Sequence, residues 1–274
     1  MNKKFFAIIF VVLTVLTVAF GSVFAQDGGT FTVGLECNYA PFNWTQTDDS
    51  NGAVPISGGM GYCGGYDVEI AKHIAEKLGK ELVIAKIEWD GLILAVNSGK
   101  IDAVIAGMSP TEERKSSVDF SDPYYESDLV IVVRADGPYA NAASLADFTG
   151  AKITGQLNTF HDTVVEQIPG VKHVTAMETF PAMIVALNSG KIDGYVSERP
   201  GAVSAQESNP NLTFVEFSEG NGFEASPEDV AVAVAMKKGS EYIPAVNEAL
   251  AEISKEARQE LMDAAVANQP VAQY

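Results

Sequence analysis

The hexapeptide NSGKID occurs twice in this chain, at 97–102 and again at 188–193. Each copy follows a short apolar segment of helical character, LILAV in the first and AMIVAL in the second, and leads into a short strand-like run. Six identical residues in one order at two places point to a repeated supersecondary unit, and hence to two lobes built on one plan.

The segments around the repeat fit that plan. TFTVGLE at 30–36 alternates and is rich in β-branched residues, which predicts a strand. Residues 67–78 put Val68, Ile70, Ala71, Ile74, Ala75 and Leu78 on one helical stripe that Gly79 ends. ELVIAKI predicts a second strand, 92–97 a helix stopped by Gly99, and IDAVIAG a third, nearly all-apolar strand of the kind buried in a parallel sheet. The order then restarts with strands at DLVIVVR and AKITGQL, helices at 159–167 and 181–188, and strands at KIDGYVS and AVAVAM. A single helical stretch is expected over 240–267, with Pro244 in its first turn, where a missing N–H is tolerated. Strand and helix in alternation define an α/β fold with crossover-connected sheets.

That plan also locates chemistry. Ligands of open α/β sheets bind outside the carboxyl ends of the strands. In the two copies those ends fall near Gly107 and Glu198. If the lobes face each other, residues 107–114 and Glu198 form opposite walls of one cleft. In AGMSPTEER, Gly107 allows close approach to the backbone, Ser109 offers a hydroxyl and Thr111 can cap a helix. Arg114 presents a planar fork matched to a carboxylate. Glu198 opposite it suits an ammonium group, and the two charges of a free amino acid would bridge the lobes. Glu36, at the end of the first strand, has no use in holding a carboxylate and suits a cationic ligand side chain. Tyr39 and Trp89 can cover a ligand, although such aromatics as often fill a core. In QLNTFHD, Asn158 suits a left-handed turn, and Thr159 can cap a helix or donate to a ligand carboxylate.

The ends and the charge bound the setting. Lys3 and Lys4, an apolar run to Phe20 and small residues before Gln26 predict a Sec-type leader over 1–25, with no cysteine near its end to anchor a lipid. A retained membrane anchor is the alternative. Cleavage leaves about 249 residues, and the loss of two lysines takes the net charge from −18 to −20. So acidic a surface argues against nucleic acid. Cys37 and Cys63, an even pair in an exported chain, predict one disulfide, with two free buried thiols as the alternative. His73, His161 and His173 stand at no metal-ligand spacing, and no metal or cofactor is expected.

Taken in order, VGLECNYAPFNW, GGYDVEIAKHIAEKLG, TEER followed by VDFSDPYY, and LADFTGAKITGQLNT resemble the periplasmic amino-acid-binding proteins of ABC importers. The likeness is to the polar amino acid group, with the lysine/arginine/ornithine, histidine and glutamine receptors. It implies a bilobal α/β clamp with two hinge strands, lobe 1 holding 26–127 plus 230–274 and lobe 2 holding 128–229. It implies that Arg114, aided by Gly107, Ser109 and Thr159, grips the α-carboxylate, and that Glu198 meets the α-ammonium. Glu36, Tyr39, Trp89, Met108 and Asn158 complete the implied ligand-binding set. Glu198 is one methylene longer than the family's usual aspartate, and Asn158 stands where glycine is frequent. The resemblance further implies a monomer that is not an enzyme, delivering a cationic or polar amino acid to a membrane permease. A cyclohexadienyl-type dehydratase on the same fold and a sensory domain are the competing expectations.

Overall fold

The structure, a computed structural model, describes residues 28–270; the expected leader lies outside the described residues. Two five-stranded sheets organise them. The first has the order Glu81–Lys86, Thr30–Leu35, Ala103–Val104, Ala231–Lys237, Val118–Glu126. The second has the order Lys172–His173, Lys152–Thr154, Gly194–Glu198, Leu129–Arg134, Leu212–Val215. In both sheets the first three strands run parallel, and the fourth is antiparallel to both of its neighbours. One topology has been built twice, as the repeated hexapeptide implies.

The hexapeptide itself performs the same local task in each sheet. Gly99 (φ 77°) and Gly190 (φ 72°) take the left-handed conformation that ends the helices Leu92–Asn97 and Phe180–Asn188. The following lysine N–H groups then donate to the carbonyls of Ala95 and Ala186, satisfying helix ends that would otherwise be orphaned. Asp102 clamps the neighbouring strand at Thr32, its N–H donating to the Thr32 carbonyl at 2.8 Å and its carboxylate accepting from the Thr32 N–H at 2.8 Å. Asp193 does the same to Lys152, at 2.8 and 2.9 Å. The aspartate therefore sets the register of the strand that follows each copy.

Apolar patterning accounts for the packing. The strand Ala231–Lys237 is buried along AVAVAM because helices or strands cover both of its faces. On the helix Tyr66–Lys77, the predicted stripe of Val68, Ile70, Ala71, Ile74 and Ala75 is buried, and Leu78 packs at its edge. The chain passes from the first sheet to the second at Ser127 and Asp128, and returns between Val215 and Ala231. The two crossings lie side by side, the Ser127 N–H donating to the Val230 carbonyl at 3.2 Å.

Three expectations change. The stretch 240–267 is two helices, Ile243–Ala251 and Lys255–Asn268, because Ser254 leaves the helical path and caps the second by accepting from the Ala257 N–H. IDAVIAG contributes only Ala103–Val104 as strand, since its remaining residues turn into the loop that reaches the cleft. The stretch holding DDSNG and GGMGYCGG, whose composition predicts a polar loop, instead includes paired strands Asn43–Gln46, Val54–Pro55 and Tyr62–Gly64, which form a small sheet with Asn38–Tyr39. A Cys37–Cys63 disulfide, with Cα atoms 5.7 Å apart, fastens that sheet to the end of the first strand.

Candidate ligand-binding cleft

Gly107 takes φ 64°, and a Cβ there would come within 2.9 Å of the Tyr39 ring, so glycine is required on both counts. Its N–H donates to the Tyr124 hydroxyl at 3.3 Å, and that hydroxyl donates to Asp67 Oδ1 at 2.7 Å. Asn43 Nδ2 holds the other Asp67 oxygen at 2.8 Å. Burial raises the Asp67 pKa to about 6, with the Tyr124 and Asn43 hydrogen bonds pulling the other way. This buried network fixes the loop 107–109, and it gives the tyrosine of VDFSDPYY a structural role.

Beyond the loop, Thr111 caps the short helix Glu112–Lys115, its hydroxyl accepting from the Arg114 N–H. The cap aims Arg114 into the cleft. One guanidinium nitrogen donates to the Ser109 carbonyl at 3.0 Å and the other to the Asn158 carbonyl at 3.1 Å. The group lies 5.0 Å from the centre of the Trp89 ring, a cation–π contact. Burial lowers its pKa to about 10, against the opposing pull of Glu113 and Asp229, so it stays charged. Asn158 presents its carbonyl from a left-handed conformation, φ 57°, which glycine or asparagine adopts at least cost.

Glu198 stands on the other wall, at the carboxyl end of the strand Gly194–Glu198, and is 3% exposed. The Tyr39 hydroxyl donates to one of its oxygens across the cleft, and His161 Nε2 lies 3.1 Å from the other. Tyr39 is held in place by stacking on Phe180, with ring centres 4.1 Å apart. Burial raises the Glu198 pKa to about 8. Burial also lowers that of His161 to about 4, helped by the charge of Arg114. Burial thus works against the charged form of both partners in this contact.

Glu36 is 2% exposed and approached by Gln156 Nε2 at 3.3 and 3.4 Å. Burial lifts its pKa to about 7; the Gln156 hydrogen bond opposes the shift, while Glu88, Asp90 and Asp67 add to it.

These walls enclose a cavity of about 10 Å³, the lower limit for one water molecule. Of the residues expected at a ligand site, Tyr39, Trp89, Gly107, Ser109, Arg114, Thr159 and Glu198 line it. Thr159 donates to the Gln156 carbonyl rather than capping the helix Phe160–Thr163. Met108 is buried in the core at 1% exposure, its carbonyl accepting from the Ala233 N–H, and it borders an adjoining groove rather than the cavity. Glu36 sits behind Gln156, and Asn158 lies in that groove of 540 Å³, which shares Trp89, Arg114, Thr159 and Phe160 with the cavity. Sequence reasoning missed Gln156, Phe160 and His161, all of which line the cavity. A further hollow of 330 Å³, beyond Phe180, has Lys86 as its one charged lining residue among the described residues, with no opposed charge among them. Among the described residues, no group of three His, Cys, Asp or Glu side chains is placed to hold a metal ion.

A cavity shut between two sheets of one plan, with a guanidinium on one wall and a carboxyl on the other, is the architecture of a bilobal solute-binding clamp. The family model for bacterial extracellular solute-binding proteins, family 3, matches residues 31–264, and the chain belongs to that family. It is 32% identical over 196 residues to a probable histidine-binding protein of Campylobacter jejuni, covering 71% of this chain and 70% of that one. It is 31% identical over 234 residues to the L-cystine-binding protein TcyJ of Escherichia coli K12, covering 84% and 80% respectively. The fold superposes with a TM-score of 0.71 on the amino acid ABC transporter substrate-binding protein AbpA of Streptococcus pneumoniae, solved bound to L-arginine. In that comparison the identity is 27%, over 87% of this chain and 95% of that one.

Proposed function

We propose that the protein captures a free amino acid outside the cytoplasm and hands it to the membrane permease of an ABC importer, acting as a monomer and not as an enzyme. The ligand's α-carboxylate lies on Arg114, near Ser109 and Thr159, and its α-ammonium on Glu198. The observation that carries this reading is the pair of opposed groups, Arg114 and Glu198, on facing walls of one cavity. Arg114 has spare donors, because its two carbonyl bonds use two of five guanidinium N–H groups.

A cavity of about 10 Å³ admits an amino acid only when its walls part, so binding is tied to lobe opening and reclosure. Glu36, reached past Gln156, favours a cationic side chain such as arginine, lysine or histidine. The relatives bearing the names of histidine-, cystine- and arginine-binding proteins support amino acids as the substrate class. They also favour transport over catalysis.

The test is thermal denaturation of the protein with each of the twenty amino acids, and with cystine. A ligand at a hundred times its Kd adds about 2.7 kcal/mol. That corresponds to a rise of about 5–11 °C for a chain of this size. Arginine, lysine or histidine is expected to give the largest rise, and no rise with any of them would refute the proposal.

A further inference from the structure

Asn158, expected among the residues that touch the ligand, lies outside the cavity, in the adjoining groove. It is exposed there, in the segment that follows the strand Lys152–Thr154 of the second sheet. Its partners come from the first sheet's side. The Asn158 carbonyl accepts from Arg114 at 3.1 Å and from Trp89 Nε1 at 3.4 Å, and its side-chain Nδ2 donates to Asp90 Oδ1 at 2.8 Å. Trp89 and Asp90 belong to the turn after the strand Glu81–Lys86, and Arg114 to the helix that precedes the strand Val118–Glu126, both strands of the first sheet.

The residue type fits the position. At φ 57°, glycine, asparagine and aspartate are the residues that meet least strain, and any of them would offer the carbonyl. Glycine has nothing to give Asp90, and aspartate would set a second carboxylate against it. An ionised carboxylate only accepts, and the asparagine amide supplies the donor. Other contacts between the two sides run through the space a ligand needs. Tyr39 reaches Glu198 and Gln156 reaches Glu36, and Tyr39, Glu198 and Gln156 all line the cavity. The bond between Asp90 and Asn158 lies clear of it.

We propose that Asn158 is a positioning residue rather than a ligand contact: its amide, bonded to Asp90, latches the rim of the closed cleft and slows release of every bound amino acid by the same factor. The inference rests on the reading of the cleft as an amino-acid site and adds what holds it shut. The bond forms only as the two sides come together, after the ligand has entered, so it acts on the release rate and not on the association rate. It touches no part of the cavity, so it does not discriminate between ligands. Glu36 differs in this respect, being placed to discriminate by side-chain charge.

The test is stopped-flow tryptophan fluorescence of L-arginine and L-glutamine binding and release, with the native protein, Asn158→Gly, Asp90→Ala and the two combined. Asn158→Gly keeps a left-handed backbone and the carbonyl that Arg114 and Trp89 use, so the amide alone is removed. One exposed hydrogen bond corresponds to about 3- to 10-fold. Each single substitution is expected to speed release of both ligands by that factor, with association within about twofold of the native rate. The combined substitution is expected to release no faster than the faster single one, because both remove the same bond. Asn158→Asp sets two carboxylates face to face and should release faster than Asn158→Gly. Adding Asp90→Asn to Asn158→Asp exchanges donor and acceptor, and should bring release back to within about threefold of the native rate, a recovery that a merely structural role for either residue would not give. Unchanged release in Asn158→Gly would overturn the latch. So would faster release of one ligand only, which would make Asn158 a ligand contact, or no recovery in the exchanged pair. In each of these cases binding persists and the latch alone fails; a native protein that bound no amino acid would refute the function proposed above and the latch with it.

Discussion

Replacing Arg114 by alanine removes the guanidinium that lines the cavity, and its cost can be worked from its contacts. A carboxylate held by two charge-assisted hydrogen bonds loses about 2–5 kcal/mol when its partner is truncated, because the remaining charge is left enclosed. At 1.4 kcal/mol per decade, that weakens binding about 30- to 4,000-fold. Arg114→Lys keeps the charge but not the planar fork, so one charge-assisted bond, about 1.5–3 kcal/mol, is lost and the drop is about 10- to 150-fold. Both substitutions also remove tethers to the Ser109 and Asn158 carbonyls and alter the contact with Trp89, so the free protein should melt a few degrees lower. Calorimetry well below that melting temperature separates the two effects. If Arg114→Ala bound the best amino acid within fivefold of the unaltered protein, the carboxylate clamp would be wrong.

Other substitutions probe neighbouring parts of the cleft. Glu36→Gln should weaken arginine and lysine about 10- to 100-fold while leaving glutamine within about threefold; equal losses in parallel titrations would take Glu36 out of the side-chain pocket. Gly107→Ala combines a strained φ of 64° with a clash on the Tyr39 ring, so scanning calorimetry should show a loss of about 3–8 °C, and unchanged melting would contradict the geometry. Both ring nitrogens of His173 face carboxylates, Nδ1 at 2.6 Å from Glu166 and Nε2 at 2.7 Å from Asp162, and the charged imidazole donates to both. Partial burial opposes its charged form, but the two carboxylates prevail and its pKa is raised. Its contribution is therefore present below pH 6.5, the unfolded value, and fades as pH rises through the folded one. His173→Gln should lower the melting temperature more at pH 5.5 than at pH 8.5, by about 1–3 °C given the exposure of the cluster. The same deficit at both values would show that the ion pairs do not contribute.

What could be read in advance depended on whether the cause was local. NSGKID, the helical stripe of 67–78 and the glycine stops are local, and each appears in the structure within a residue of where the sequence places it. The clamp made by Asp102 on Thr32 is not, since it needs the neighbouring strand, and the repeat announced the aspartate without its task. The break inside 240–267 had a signal, Ser254 ahead of KEARQEL, that an unbroken helical period concealed. Met108 was placed with Gly107 and Ser109, but after the left-handed turn at Gly107 its side chain joins the buried core, and it borders the adjoining groove rather than the cavity. His161 was weighed only as a metal ligand. Its position two residues past Thr159, on the helix that opens at the cleft, was the available sign, but its pairing with Glu198 spans separate segments of the second lobe. The division into lobes near 128 and 229 remains part of the proposal, with the paired crossing at Ser127 and Val230 as its hinge.

The central claim is that the cleft reads both charges of a free amino acid, and blocking those charges one at a time tests it most directly. L-arginine, its methyl ester and its N-α-acetyl derivative would be titrated calorimetrically into the same preparation. The account predicts one L-arginine per chain and at least a hundredfold weaker binding of each derivative, since one leaves Arg114 and the other Glu198 without its partner. Binding of either derivative as tight as that of L-arginine itself would contradict it.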